Sequence, residues 1–279
     1  MSWEAGERSI SPNKAYQAAL EKCSELGIQV NFQKYGAKIN SWNCDILKNG
    51  NFITNGRGKG IGIQSKTSAL FEAIEHFVYE NEDHSLLYCS ELGSESLDSV
   101  LLNGASPDFS LILGGRPSKF SRIPMRSFGS IDRVLYSPAF LFYPNFVSSH
   151  KEENEIISHY GLLRYSTNNG TASGIDVAEA GLHALLETVE RDAIGIEMLR
   201  TVISKEPLPV RQIRLEGLPH SLVAVCNAAC EEAHATLRLW DITSDINIPV
   251  ILASLETENG NYFGSGASLT SEYAVERAI

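Results

Sequence analysis

Two stretches of this chain alternate apolar and acidic positions at helical spacing. Leu70, Ala73, Ile74, Phe77 and Val78 recur on one face of a run from about 64 to 80. Ser68, Glu72 and Glu75 stand at i, i+4 and i+7 on the other face. The second run, from about 176 to 200, is apolar on most sides. It nevertheless carries Glu187 and Glu190 three residues apart, with Asp176 placed as N-cap.

The remaining pattern predicts more elements. Tyr16, Ala19, Leu20, Cys23 and Leu26 share one face of a helix over 12–26 that Gly27 stops. Strand-like runs follow near 28–33 and 38–46, then a glycine-rich loop, Asn55 to Gly62. Prolines 107, 117, 124, 138 and 144 break any long helix between 81 and 160, so short strands and loops are expected there, with an exposed turn at 152–155. After a loop from Pro207 to Pro219, a short helix near 221–232 precedes strands at 235–241, 248–255 and 261–268 and a helix from Ser271. Helices and strands alternate without a regular βαβ period, which makes the class α+β. No solenoid-length repeat is present, although two glutamate-bearing helices behind glycine-containing loops hint at pseudo-duplication.

Charge alters this picture more than composition does. Residues at i and i+3 lie roughly 5–6 Å apart at Cβ. At an effective dielectric near 20, two anions at that separation repel by about 3 kcal/mol. A buried helix keeps such a pair only with a compensating cation, either a side chain or a metal ion. Two helices each presenting two glutamates could converge on a hard cation that takes oxygen ligands, Mg²⁺ above all where phosphates complete its shell. The plainer alternatives stay open. Glu187 and Arg191 have the favourable i, i+4 order for an internal ion pair, and Glu72 and Glu75 could belong to a solvated stripe with Ser65, Ser68 and His76.

The net charge of −11, from 23 basic and 34 acidic residues, argues against general nucleic-acid or anionic-membrane binding. No signal-peptide pattern opens the chain and no run of 18 apolar residues occurs, so a cytoplasmic protein is expected. The five cysteines are scattered without zinc-type pairs and read as free thiols. The Gly58-Lys59-Gly60 segment is no Walker loop, lacking the Ser or Thr that would hold Mg²⁺. His183 precedes Glu187 by four residues, but no second histidine stands at zincin spacing, which favours a structural or supporting role.

Taken in order, several segments resemble the YcaO family. They are Ser68-x3-Glu72-x2-Glu75, the loop Asn169 to Gly174, Glu187-x2-Glu190-Arg191-Asp192, and Gly264 to Ala267 leading to Arg277. The likeness extends to Arg8-Ser9-Ile10-Ser11-Pro12 near the start and covers nearly the whole chain. It implies a single YcaO-like domain over 1–279, with mixed and antiparallel sheets and glutamate-bearing helices around a nucleotide cleft. It implies Mg²⁺ held by Glu72, Glu75, Glu187 and Glu190, and ATP contacted by Arg8, Ser68, His76, Ser173 and these glutamates. Arg191 and Arg277 would stabilise phosphate charge as the catalytic cations.

The implied activity is ATP-dependent cyclodehydration of Cys, Ser or Thr in a ribosomally made precursor peptide to azolines. A thioamide-forming enzyme and a non-catalytic scaffold that docks a partner are the alternatives. The expected partners are the precursor peptide and a leader-binding protein in trans, with a homodimer as the candidate assembly. Two departures stand out. Ile175 replaces a polar residue common after the family's last loop glycine, and the family's helix runs on past the Arg277 position, so the resemblance implies a C-terminally incomplete domain as an expectation.

Overall fold

The computed structural model describes residues 7–80, 94–96, 119–127, 130–138, 167–204 and 211–279; of the three stretches between 94 and 138 it describes the strands alone. By its contacts the chain divides into two units, Met1–Phe77 with Asn169–Ile279, and Val78–Asn168.

In the first unit, α1 (Pro12–Glu25) begins with proline at a position where a helix needs no N–H. It ends in a Schellman turn. Ile28 N donates to Cys23 O and Gly27 N to Ser24 O, with Gly27 at φ +65°. Strands β1 (Gln29–Tyr35), β2 (Asn40–Lys48) and β3 (Asn51–Gly60) form an antiparallel meander, and Asn49-Gly50 supplies the positive φ values of its β2–β3 turn. Helix α2 (Ile63–Glu80) lies on this sheet and buries Ala69, Leu70, Ala73 and Phe77 with Cys44, Ile46, Ala19 and Cys23.

The predicted glycine loop is the second half of β3. Gly56 and Gly58 are buried because the backbone of α2 presses onto them. A Cβ on Gly56 would stand 2.1 Å from Ala73 N, and one on Gly58 2.1 Å from Ser65 O. The glycines therefore serve close helix–strand approach and cradle no phosphate.

Helix α3 (Val177–Met198) is capped by Asp176, whose carboxylate accepts from Glu179 N at 2.8 Å, and continues as a π-helical turn, Leu199–Ser204. Beyond it, β7 (Arg211–Ile213), α4 (His220–Ala233), β8 (Thr236–Asp241), β9 (Val250–Thr257), β10 (Gly260–Ala267) and α5 (Ser271–Ala278) follow. The strands make an antiparallel sheet in the order β10-β9-β8-β7. One core joins α4, β8, β9 and α5 through Leu222, Leu239, Ile251 and Val275; another joins α3 to Val250 and Ala267.

In the second unit, β4 (Ser94–Ser96), β5 (Lys119–Ser127) and β6 (Ser130–Pro138) pair antiparallel in sequence order. The turn expected at 152–155, Cys89 and the prolines of 207 and 209 lie outside the described residues. Helices with antiparallel sheets bear out the α+β class. The four cysteines that are described are free thiols. Among the described residues, no helix is long and apolar enough to cross a membrane.

Candidate active site

The packing of α2 on its sheet turns Glu72 and Glu75 away from the core, and α3 presents Glu187 to them. Burial raises the pKa of all three carboxyls. For Glu75 the rise reaches about 8; burial is the main cause, then the charge of Glu187, with Glu72 adding a smaller push against the Ser173 amide, which lowers it. Ser173 N donates to Glu75 Oε2 at 3.2 Å, and Ser173 Oγ fixes the loop by donating to Phe71 O at 2.9 Å. Glu72 is eased by His76 and Arg57, and Glu187 by Arg191, whose Nε stands 3.8 Å from Glu187 Oε1. That ion pair was one of the plainer readings, and it is present. It is long and half exposed on the arginine side, so it leaves the cluster acidic.

Glu190 is held differently. It is buried, and its carboxylate accepts from Ser265 Oγ and, at 3.1 Å, from Ala267 N on β10. Lys59 stands within electrostatic range of it and donates from Nζ to Ala278 O at 3.0 Å. Three of the expected metal glutamates thus face one another, and the fourth is anchored by the chain itself.

Arg8 does not point at the cluster as free charge. Its Nη1 pairs with buried Glu179 Oε1 at 3.0 Å, while Ser9 N donates to Glu179 Oε2 at 2.9 Å and Ser9 Oγ to Asp176. Glu7 accepts from Ser268 Oγ and Leu269 N, and its Oε2 lies 4.0 Å from Arg277 Nη1. Residues 7–9 therefore strap α3 to the start of α5. Arg277 stays in electrostatic range of Glu187, Lys59 and His183. Ser68 is half-buried and leans toward Gly58, and His76 Nδ1 is 2.7 Å from Asn55 O. His183, one turn before Glu187, has its pKa driven down to about 3 by burial and by Arg277 and Arg8, so its imidazole is neutral. Its Nδ1 is buried with no hydrogen-bond partner among the described residues.

As placed, no three His, Cys, Asp or Glu side chains among the described residues converge closely enough to hold one ion. The donor chemistry nonetheless fits a hard divalent cation. Glu72, Glu75 and Glu187 are partly buried oxygen donors, each resisting ionisation for want of positive charge. Reasoning from sequence overlooked Glu7, Lys59 and Ser265. Lys59 and Ser265 each carried a signal, standing between two glycines in a segment already singled out, and Glu7 carried none.

Comparison with known proteins identifies the family and the fold. Residues 56–279 match the family model described as YcaO cyclodehydratase, ATP- and Mg²⁺-binding. The chain belongs to the YcaO cyclodehydratase family. A relative from Rhizobium leguminosarum bv. trifolii, an uncharacterized protein in the tfuA 3′ region, is 28% identical over 205 residues, which is 73% of this chain and 45% of the relative. Among solved structures, a heterocyclase in complex with substrate and cofactor superposes with a TM-score of 0.71 at 17% identity, over 98% of this chain and 40% of that one. YcaO from Methanopyrus kandleri bound with AMPPCP and Mg²⁺ gives 0.65 at 19% identity, over 97% and 65%. These likenesses show the fold. The chain spans less than half the length of the curated relative and of the heterocyclase it matches.

Proposed function

We propose that this protein uses Mg²⁺-ATP to activate a backbone amide of a ribosomally made precursor peptide, closing Cys, Ser or Thr onto it to give an azoline. In that reaction the side-chain thiol or hydroxyl gives its proton to solvent as it adds to the amide carbon, and the former carbonyl oxygen accepts the γ-phosphoryl group as ADP leaves. Phosphate then departs with that oxygen, nitrogen gives up its proton, and a C=N bond forms in the ring that the addition has already closed.

The observation that carries the reading is the facing trio Glu72, Glu75 and Glu187, each held partly out of water and short of positive charge. Bound Mg²⁺ would supply that charge and neutralise the phosphates during transfer. Glu72, Glu75 and Glu187 would hold it, with Glu190 fixing the adjoining strand β10 through Ser265 and Ala267. Arg277 and Arg191 would face phosphate oxygens, where a fixed guanidinium stabilises charge that grows in the transition state. Ser173 keeps Glu75 aimed, and His183, neutral at working pH, offers a polar ring nitrogen without adding charge. The strap at residues 7–9 holds α3 in register with α5 across the cleft. A leader-binding protein in trans would deliver the peptide.

The test has two stages. Calorimetry of Mg²⁺-ATP on the 279-residue chain should show saturable heat that vanishes without the metal. Incubation with ATP, Mg²⁺, the partner and candidate precursors should then remove the mass of one water per ring. Binding with no such loss across every candidate peptide would count against cyclodehydration, and a gain matching oxygen-to-sulfur exchange would point to a thioamide instead.

A further inference from the structure

A second feature of the molecule is unused by the reaction just described. A cavity of about 630 Å³ opens at the N-terminal end of α2, away from the glutamate trio. Its walls are largely apolar, with Pro12, Ile39, Ile61, Ile63 and Val225 among them, and Glu276 of α5 also lines it. Glu276 Oε2 is buried without a hydrogen-bond partner among the described residues. Burial raises its pKa. A buried carboxylate left this way is costly unless a donor arrives from elsewhere.

The surroundings favour a cation. Gln64, also in the lining, turns its amide nitrogen onto Tyr273 Oη at 3.0 Å, so its amide oxygen remains as a second acceptor. At the rim, Lys38 has its ammonium bound to Glu231, while Glu232 accepts from Ala37 N and Lys38 N. These two rim carboxylates are already matched, Glu231 by Lys38 and Glu232 by Lys38 and Lys34, which leaves Glu276 as the unmatched acid of the cavity. A guest with an apolar stem and a basic head suits these walls and this floor, as a lysine or arginine side chain has.

Helix geometry links the cavity to the glutamates. At 100° per residue, Gln64, Ser68, Glu72 and Glu75 fall within about 80° of one another on α2. From Gln64 to Glu72 and Glu75 the helix rises about 12–17 Å. An extended peptide covers that distance in about four or five residues.

We propose that this cavity is a specificity pocket that takes a basic side chain of the substrate peptide, about four or five residues from the residue being cyclised. The assignment rests on the peptide-modifying reading above and adds a sequence requirement to it. The ammonium or guanidinium pairs with Glu276 Oε2, and the aliphatic stem lies against Ile39, Ile61 and Val225. The remainder of the peptide then runs along the Gln64–Ser68–Glu72 face of α2.

The experiment uses the full chain and a fluorescein-labelled probe, Val-Arg-Val-Gly-Ser-Gly-Cys-Gly, beside the same peptide with citrulline for arginine, which keeps the shape and removes the charge. Fluorescence anisotropy without nucleotide should show the arginine peptide binding about tenfold tighter or more, the scale of a charged hydrogen bond made in place of an unpaired one. Glu276→Gln should erase the preference, and Val225→Trp, which fills the cavity, should weaken the arginine peptide to the level of the citrulline one. Both variants should bind Mg²⁺-ATP as the wild type does, which shows that they are folded. Equal affinity of wild type for the two peptides, no binding of either, or a preference that survives Glu276→Gln would overturn the pocket. So would loss of Mg²⁺-ATP binding in folded Glu276→Gln, which would give the cavity to the nucleotide. A wild type that selects the arginine peptide but never binds Mg²⁺-ATP would leave the pocket standing and sink the nucleotide reading.

Discussion

Helix α2 carries charge on two faces, and the chain treats them in opposite ways. On the sheet side, Lys66 Nζ sits over three rings, 4.4 Å from the centroid of Phe32, 5.0 Å from Tyr16 and 5.1 Å from Trp42. The ring faces supply partial negative charge, so the ammonium is satisfied by groups the protein brings itself. On the other face Glu72 and Glu75 meet Glu187 and gain too little positive charge to offset burial. One face is satisfied on folding, and the carboxyls of the other are left short of positive charge. The difference separates a charge matched by the fold from charges left unmatched, and the proposed function rests on the unmatched ones.

The largest effect should come from emptying the acidic face. Glu75→Gln should weaken Mg²⁺-ATP binding by about a hundredfold, near 2.7 kcal/mol, by calorimetry, with the far-ultraviolet circular dichroism unchanged. An affinity within threefold of wild type would put Glu75 outside the site.

The next expectation concerns pH. Because the Glu75 pKa rises from 4.5 unfolded to about 8 folded, the native state binds the extra proton between those values. Stability of the metal-free protein should therefore fall as pH rises through that window, by at most about 1.4 kcal/mol per pH unit for one such group. Mg²⁺-ATP should flatten the slope and release protons near neutrality. Thermal melts across the window, and binding heats in buffers of different ionisation enthalpy, measure both.

A third substitution tests how closely α2 is seated. Gly58→Ala places a methyl 2.1 Å from Ser65 O and should cost about 1–3 kcal/mol in urea unfolding. It should also weaken Mg²⁺-ATP, because Ser68 and Glu72 ride on the displaced helix. The smallest effect belongs to the caged face. Lys66→Met keeps the stem and removes the charge, and should cost about 0.5–2 kcal/mol while leaving nucleotide affinity within about twofold. A larger loss of affinity than of stability would mean that the two faces are not independent.

Much of this fold was legible because apolar side chains mark helix faces well. The spans of α1, α2, α3 and α4, and of β8 to β10, follow from periodicity and from Asp176 and Gly27 as end signals. The stretch Asn55 to Gly62 was misread because a glycine contributes no side chain to a period-two pattern. At Gly56 and Gly58 that lack is the packing feature itself. Spacing put Glu72 with Glu75 and Glu187 with Glu190 on shared helix faces but could not say that Glu190 accepts from Ser265 and Ala267. Arg8 shows the same limit. Its partner, Glu179, lies 171 residues away, and no local pattern encodes such a pairing. The Lys66 cage escaped notice for the same reason, since its rings come from α1, β1 and β2.

The interrupted course of the chain has a bearing on biosynthesis. Glu72 and Glu75 leave the ribosome before the whole stretch Val78–Asn168, and Glu187 after it. The carboxylate that faces them is thus made after them, and Ser268, which donates to Glu7, later still. Pairing ends so distant in order of synthesis is entropically slow. A nascent chain halted before residue 187 should therefore carry Glu75 without the Glu187 charge that adds to its raised pKa.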